Sequence, residues 1–281
     1  MAADLRALFR LYRLYAGMDA QWFVQDKVIC IVVIASEIVS NIASVAGILL
    51  LAVRFGGVGG LTADEVLFML GFYQLAGGFT YMLFGGFNVQ VISRRAARGQ
   101  FDHMLIQPRP LWMQLMAEGF MPVSGSSGFL IGILLTAIAC ARLHIAPSPG
   151  WFLALVLYIS CHAAIKLGQN YLYGAAAFYK PVACEEISAK MQEIMDLVGK
   201  YPLAGLPAWA LTALTTVLPV GLMAYVPALA LLGKLEQPAH YAHPVAVAAA
   251  FVTLATYCFK KGLSHYAKNS CNRYRDIGHR N

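Results

Sequence analysis

The chain has 281 residues, of which 59% are hydrophobic and only 12% charged, and its mean hydropathy is +0.62. Soluble globular domains carry about a quarter of their residues as charges, so this composition excludes a water-soluble enzyme and leaves an integral membrane protein. The formal net charge of +7 then belongs to a basic rim facing membrane lipids, and no nucleic-acid patch is implied.

Residues 1–27 set Leu5, Leu8, Phe9, Leu11, Tyr12 and Tyr15 against Arg6, Arg10 and Arg13, the pattern of an amphipathic helix on the inner leaflet. A short apolar core and cleavage site are missing, so the segment does not read as a signal peptide. Five windows reach the roughly 20 apolar residues that cross about 30 Å of hydrocarbon as a helix. They are Val28–Val53, Val66–Ile92, Gly119–Ala141, Trp151 to about Tyr173, and about Pro244 to Phe259 with a short lead-in. A sixth, Tyr201–Gly233, is uncharged but holds Pro202, Pro207, Pro219 and Pro227. Interior prolines remove a backbone hydrogen bond and clash with the preceding turn, so a broken helix or a re-entrant hairpin is expected there. Hydropathy alone places the fifth span at about Trp209–Gly233. The preceding stretch, Pro181–Lys200, mixes Glu185, Glu186, Lys190, Glu193 and Asp196 with Ile187, Met191, Ile194, Met195 and Val198. It is either an interfacial cytoplasmic helix or a polar fifth span followed by an external re-entrant pair.

The gaps between these windows alternate in charge. Arg54, Arg142 and Lys234 stand alone in every second gap, and the other eighteen of the 21 Lys and Arg residues fill the rest. Short cationic loops resist translocation, so both termini are expected in the cytoplasm. The fold class is therefore all-α: one domain, 1–281, with six transmembrane helices and a broken element at 201–233. The six cysteines are scattered without a C-x-x-C pair and read as reduced core residues.

Polar residues within the spans recur at helical spacing. Glu37, Ser40, Asn41 and Ser44 form one stripe, and Tyr158, His162, Lys166 and Tyr173 another. A carboxylate at mid-membrane costs about 2.5–3.5 kcal/mol on insertion scales, so Glu37 must face a partner or an aqueous cavity. Glu37, Asn41, His162 and Lys166 are candidates to line a pathway; interhelical polar contacts are the competing explanation. Lys166 either pairs with Glu37 or extends to the inner surface. Gly71, Gly78 and Gly85, with Gly128-x-x-x-Gly132, mark close helix packing, internal or between subunits.

Catalytic signals are weak. Gly125-Ser126-Ser127-Gly128 has the form of an intramembrane serine protease motif, with His162 as a conceivable base, but small residues at a helix start explain it better. His240-x-x-His243 lacks a third metal ligand and is expected to be an ordinary loop. No G-x-x-x-x-G-K-[ST] is present, so ATP has no phosphate loop here. No catalytic residue, metal ligand or resident cofactor is assigned.

The most distinctive segment is the loop 94–112. Phe101, Met104, Leu105 and Pro108 give a short helix an apolar face, with Gly99 and Pro108 as its punctuation. Arg98-Gly99-Gln100-Phe101-Asp102, followed by Leu105, Pro108 and Pro110, resembles the corresponding loop of permease subunits of export-class ABC transporters, the type-2 permeases. Tyr201-Pro202, Leu218-Pro219-Val220 and Tyr225–Leu229 resemble a further stretch of the six-span branch of that family. The resemblance implies that Arg98, Gly99, Phe101, Asp102, Leu105 and Pro108 belong to a coupling helix seated in a separate ATP-binding subunit. Two such subunits, binding ATP and Mg, would work with two permeases, a homodimer or heterodimer, in a bacterial inner membrane. Pro202, Pro219 and Pro227 would belong to an external re-entrant element. The acidic stretch 181–200 departs from the family, whose members are generally more apolar there. A polytopic membrane enzyme and a secondary transporter are the competing classes; the first needs a catalytic constellation and the second the internal repeats that many such transporters show.

Overall fold

The computed structural model describes residues 2–85, 88 and 90–268. Its elements are α1 (Ala2–Gln25), α2 (Lys27–Arg54), α3 (Ala63–Phe84), α4 (Ile92–Ala97), α5 (Gln100–Leu105) and α6 (Leu111–Glu118). There follow α7 (Ser127–Arg142), α8 (Pro149–Ala176), α9 (Pro181–Val198), α10 (Ala208–Thr216), a short 3₁₀ turn (Pro219–Leu222), α11 (Tyr225–Leu231) and α12 (Pro238–Lys268). Among the described residues there is no strand beyond the single bridge Val58–Leu61.

Glycines set the centre of the bundle. A side chain at Gly78 would collide with the backbone of Gly128 and Phe129, one at Gly132 with Gln74 and Leu75, and one at Gly71 with Thr136. α3 and α7 therefore touch backbone to backbone, and the small-residue stripes serve this internal contact. α3 is the most buried of the long apolar helices, holding Phe68, Met69 and Phe72 out of contact with solvent. It starts at a full capping box, with Glu65 N–H donating to Thr62 Oγ1 and Thr62 N–H to the Glu65 carboxylate. α8 starts at Ser148 with Pro149 in its first turn, and α12 packs along it with Phe251 against Gly168.

The second and third apolar windows are shorter as helices than their hydropathy predicts. α3 stops at Phe84, where Gly85 N–H donates to Gly119 O at 2.8 Å and Met121 N–H to Met82 O at 2.9 Å. α7 begins only at Ser127. The segment before it is held by Asp19 of α1, whose carboxylate accepts from Val123 N–H (2.7 Å), Ser124 N–H (3.1 Å) and Ser124 Oγ–H (2.5 Å). α1 thus lies along α6 and the chain beyond it, with Tyr12 edge-on to Phe120 at 4.9 Å. The fourth and last windows extend beyond the predicted bounds, and His240 and His243 lie in the first turns of α12 rather than in a loop.

By length and composition four helices can cross a membrane (α2, α3, α8 and α12), α7 is a shorter apolar helix, and α10 with the chain to Leu231 forms a pair bent by 68°. Ion pairs mark the two ends of this polytopic bundle. At one end Arg94 Nε lies 2.7 Å from Glu185 Oε1. At the other, Lys234 lies 2.7 Å from Glu65, and Arg142 lies 3.3 Å from Asp64. α9 starts beside Arg94, and the chain that follows it meets the opposite end, where Pro202 and Ala204 lie against Gly59. Its 18 residues rise about 27 Å, nearly the height of the hydrocarbon layer. The segment 201–233 leaves and returns at that same end, since Trp151 Nε1 donates to Leu231 O at 3.1 Å. Pro207 caps α10, Pro219 opens the 3₁₀ turn, and Pro227 lies in the first turn of α11, all positions where a missing N–H costs little.

Two cations of a gap that the charge alternation places in the cytoplasm lie elsewhere: Lys166 lies within α8, paired with Asp196, and Lys200, in the turn after α9, lies beside Ser44 and Tyr73. For α9 as a crossing helix, cysteine at position 207 should react with a membrane-impermeant thiol reagent only from outside, and cysteine at 182 only from the cytoplasm. Labelling of both from one side contradicts that arrangement.

Candidate functional site

The charged residues of the bundle interior converge on one cleft of about 300 Å³, lined by α2, α3, the start of α7, α8 and the end of α9. Its floor is the face of α3 carrying Tyr73, Gln74, Gly77, Gly78 and Tyr81, where glycines leave room between two phenols. Lys166 Nζ from α8 lies 2.7 Å from Asp196 Oδ1 of α9, with side chains 15% and 35% exposed. Tyr73 O–H donates to the same carboxylate oxygen and to the Asp196 carbonyl, both at 3.3 Å. A buried pair holds together in low dielectric only when further hydrogen bonds satisfy it, and Tyr73 supplies one.

On the opposite wall, Glu37 Oε2 accepts from Ser127 Oγ at 2.8 Å, and Asn41 Oδ1 accepts from Gln74 Nε2 at 3.3 Å. Lys200 Nζ bridges the two walls, donating to Ser44 Oγ at 2.8 Å while lying 5.7 Å from the Tyr73 ring centroid. The first polar stripe thus faces this cleft, and Lys166 pairs with Asp196 instead of Glu37. His162 lies behind the cleft, almost fully buried, with Nδ1 2.9 Å from Met223 O and its ring edge-on to Tyr73. Ser127 spends its hydrogen bond on Glu37 and Ser126 its own on Val123 O, so neither hydroxyl is paired with His162.

Sequence reasoning missed Tyr73, Gln74, Asp196, Lys200 and Ser127 as one group. Asp196 and Lys200 read as surface charges of an amphipathic stretch, and Tyr73 and Gln74 are lost in an apolar window. No periodicity within one helix signals contacts between α3 and α9.

The loop 94–112 is three short helices. Gly99, at φ 69, lets the chain reverse between α4 and α5 without strain. Phe101 is fully buried, packed against Phe178 (5.4 Å), Phe259 (5.7 Å) and Tyr266 (6.4 Å). Met104 is buried beside it, so the apolar face read from the spacing divides. Phe101 and Met104 anchor α5 inward, whereas Leu105 and Ile106 are exposed at 43% and 82%, with Gln107 and Pro108 exposed beyond them. Asp102 is half-buried in the first turn of α5, and Arg98 is exposed with Nη2 3.9 Å from Glu185. Two shorter ion pairs, besides that of Arg98, tie this tip to its neighbours. Arg95 binds Glu118 of α6 through both terminal nitrogens, at 2.5 and 3.0 Å, and Arg94 binds Glu185 of α9. Asn88 is a further node the sequence did not signal, accepting from Tyr171 O–H at 2.8 Å and donating to Leu115 O at 2.5 Å.

A comparison with family models matches residues 38–270 to the ABC-2 family transporter protein model. The chain belongs to the ABC-2 transporter family. No curated protein and no solved structure matches it. As a type-2 ABC permease it is a membrane component of an ABC transporter, in a family whose permeases work generally with an ATP-binding subunit. The match runs from Ile38 within α2 through α12 and so includes the cleft apart from Glu37, the three-helix tip and the bent pair. α1 and the first turns of α2 lie before it.

Proposed function

We propose that this permease forms the translocation pathway of an ATP-driven exporter in a bacterial inner membrane, with the α5 tip docked into a cytoplasmic ATP-binding subunit that binds ATP and Mg. The exposed Leu105-Ile106 pair carries the coupling part of this reading. An apolar knob on a helix of six residues, anchored from behind by a buried phenylalanine, suits a groove on a partner. Phe101 and Gly99 are then positioning residues, while Pro108, Arg98 and Asp102 supply the rim around Leu105 and Ile106. Closure of the ATP-binding subunits would push on α5, and α5 is continuous through α4 with the Arg94–Glu185 contact on α9. α9 carries Asp196 into the cleft, so movement at the tip alters the Lys166–Asp196 side of the pathway.

Two copies of each subunit complete the machine. The outer faces of α2 and α9 favour a second permease there, since Val32, Val39, Ile187 and Leu197 are all well exposed and flank the cleft from either side. The 201–233 element closes the pathway from outside. Co-expression with an ATP-binding subunit tests the reading. The wild-type chain should retain it in equal amounts, and Leu105→Glu with Ile106→Glu should reduce that recovery at least tenfold with the thermal midpoint of the permease unchanged. Full recovery with the double variant removes α5 from the interface.

A further inference from the structure

The cleft holds four charges, and they are not equivalent. Lys166 and Asp196 neutralise each other at 2.7 Å. Glu37 and Lys200 hydrogen-bond to hydroxyls, those of Ser127 and Ser44, both at 2.8 Å, while Lys200 also lies over the Tyr73 ring and shares the field of Asp196 with Lys166. One carboxylate and one ammonium in excess within a membrane bundle carry a solvation cost that a ligand of complementary charge recovers. We infer, resting on the pathway reading above, that the cleft binds a zwitterion, with the ligand's ammonium group on Glu37 and its acidic group on Lys200.

The chemistry excludes the simpler ligands. An anion that satisfies Lys200 leaves Glu37 bare beside it, and a cation on Glu37 leaves Lys200 bare. A ligand bearing both charges satisfies both and adds no net charge. Ser44, which holds Lys200, follows Glu37 by two helical turns on the same face of α2, so the two charges lie along one wall of the cleft. A short ω-amino acid carries both charges on one small molecule, and so does an ethanolamine phospholipid headgroup. Tyr73 and Tyr81 supply flat, amphipathic walls between the two poles.

The test uses the purified full-length chain in uncharged detergent, with the thermal midpoint followed against ligand concentration. 4-Aminobutyrate is the soluble probe, with butyrate and butylamine as single-charge controls. A second arm compares nanodiscs of phosphatidylethanolamine with nanodiscs of phosphatidylglycerol. A free zwitterion as ligand predicts apparent affinity for 4-aminobutyrate at least tenfold above either control. A lipid headgroup predicts instead that phosphatidylethanolamine alone stabilises the chain. In whichever arm responds, Glu37→Gln and Lys200→Gln should each weaken the effect at least tenfold, and the exchange Glu37→Lys with Lys200→Glu should restore it to within threefold. The midpoint of each variant without ligand registers any folding defect, and the exchange keeps the answer independent of the single variants. Butyrate binding as tightly as 4-aminobutyrate, equal protection by both lipids, or substitutions that alter only pairing with a second copy each overturn the inference. The assay contains no ATP-binding subunit, so these results leave the exporter reading standing, whereas failed capture of that subunit would remove the exporter reading alone.

Discussion

Gly132→Leu is expected to abolish the folded bundle. A Cβ at this position would overlap the backbone of Gln74 and Leu75, and backbone on a buried helix cannot swing aside as a side chain does. Overpacking a tight core costs about 1–3 kcal/mol where side chains can adjust. Here α3 and α7 must separate along their length, losing the burial of Phe68, Phe72 and Leu75 with it, so a loss of at least about 3 kcal/mol follows. Gly47→Ala is the matched control, because nothing lies within 4 Å of the added carbon. Size-exclusion chromatography of detergent extracts should show a single peak for the control and aggregate for Gly132→Leu. A monodisperse Gly132→Leu protein with an unchanged thermal midpoint would show that the two helices are not in backbone contact.

Arg95→Met has the second largest expected effect, and its signature is functional. The Arg95 side chain is 5% exposed, and its guanidinium forks onto Glu118, which is 37% exposed. Removing one member of a fully buried pair costs about 3–5 kcal/mol. Glu118 reaches water, so about 2–3 kcal/mol is expected here, confined to the joint between α4 and α6. The membrane helices should remain assembled and the ATP-binding subunit should still bind, because Leu105 and Ile106 are untouched. The joint that passes motion from α5 would be loose, and transport should fall at least tenfold while ATP hydrolysis persists. Arg95→Met combined with Glu118→Met should recover most of the stability, since no charge is left unpaired. Equal losses of transport and ATP hydrolysis in Arg95→Met would mean that this ion pair holds the fold and does not transmit coupling.

How far the sequence could be read depended on whether a residue's partner lay on its own helix. The helix at the N-terminus, the stripe Glu37, Asn41, Ser44 and the turn at Gly99 are local patterns, and each appears where its spacing places it. α9 was ambiguous because its polar residues are matched across elements: Glu185 by Arg94, and Asp196 by Lys166 and Tyr73. Hydropathy averages along one segment and counts such charges as unpaired. The same limit explains the end of α3. The apolar composition continues to Ile92, but the helix stops at Phe84, where Gly85 N–H donates to Gly119 O and Met121 N–H to Met82 O, each across more than thirty residues of sequence. The inward turn of Phe101 depended on three aromatic side chains, one from the turn after α8 and two from α12. Helical spacing identified the apolar positions of α5 without dividing those that anchor it from those that face out.

The account rests on the cleft being a pathway switched by ATP, and accessibility at its wall measures this directly. Asn41→Cys, in a chain lacking the six native cysteines, is reconstituted with the ATP-binding subunit in vesicles and exposed to a small impermeant thiol reagent from either side. Without nucleotide, reaction is expected from the cytoplasmic side; with a non-hydrolysable ATP analogue, the cytoplasmic rate should fall at least tenfold and reaction from outside should appear. A rate at position 41 that is the same on both sides and indifferent to nucleotide would contradict the account.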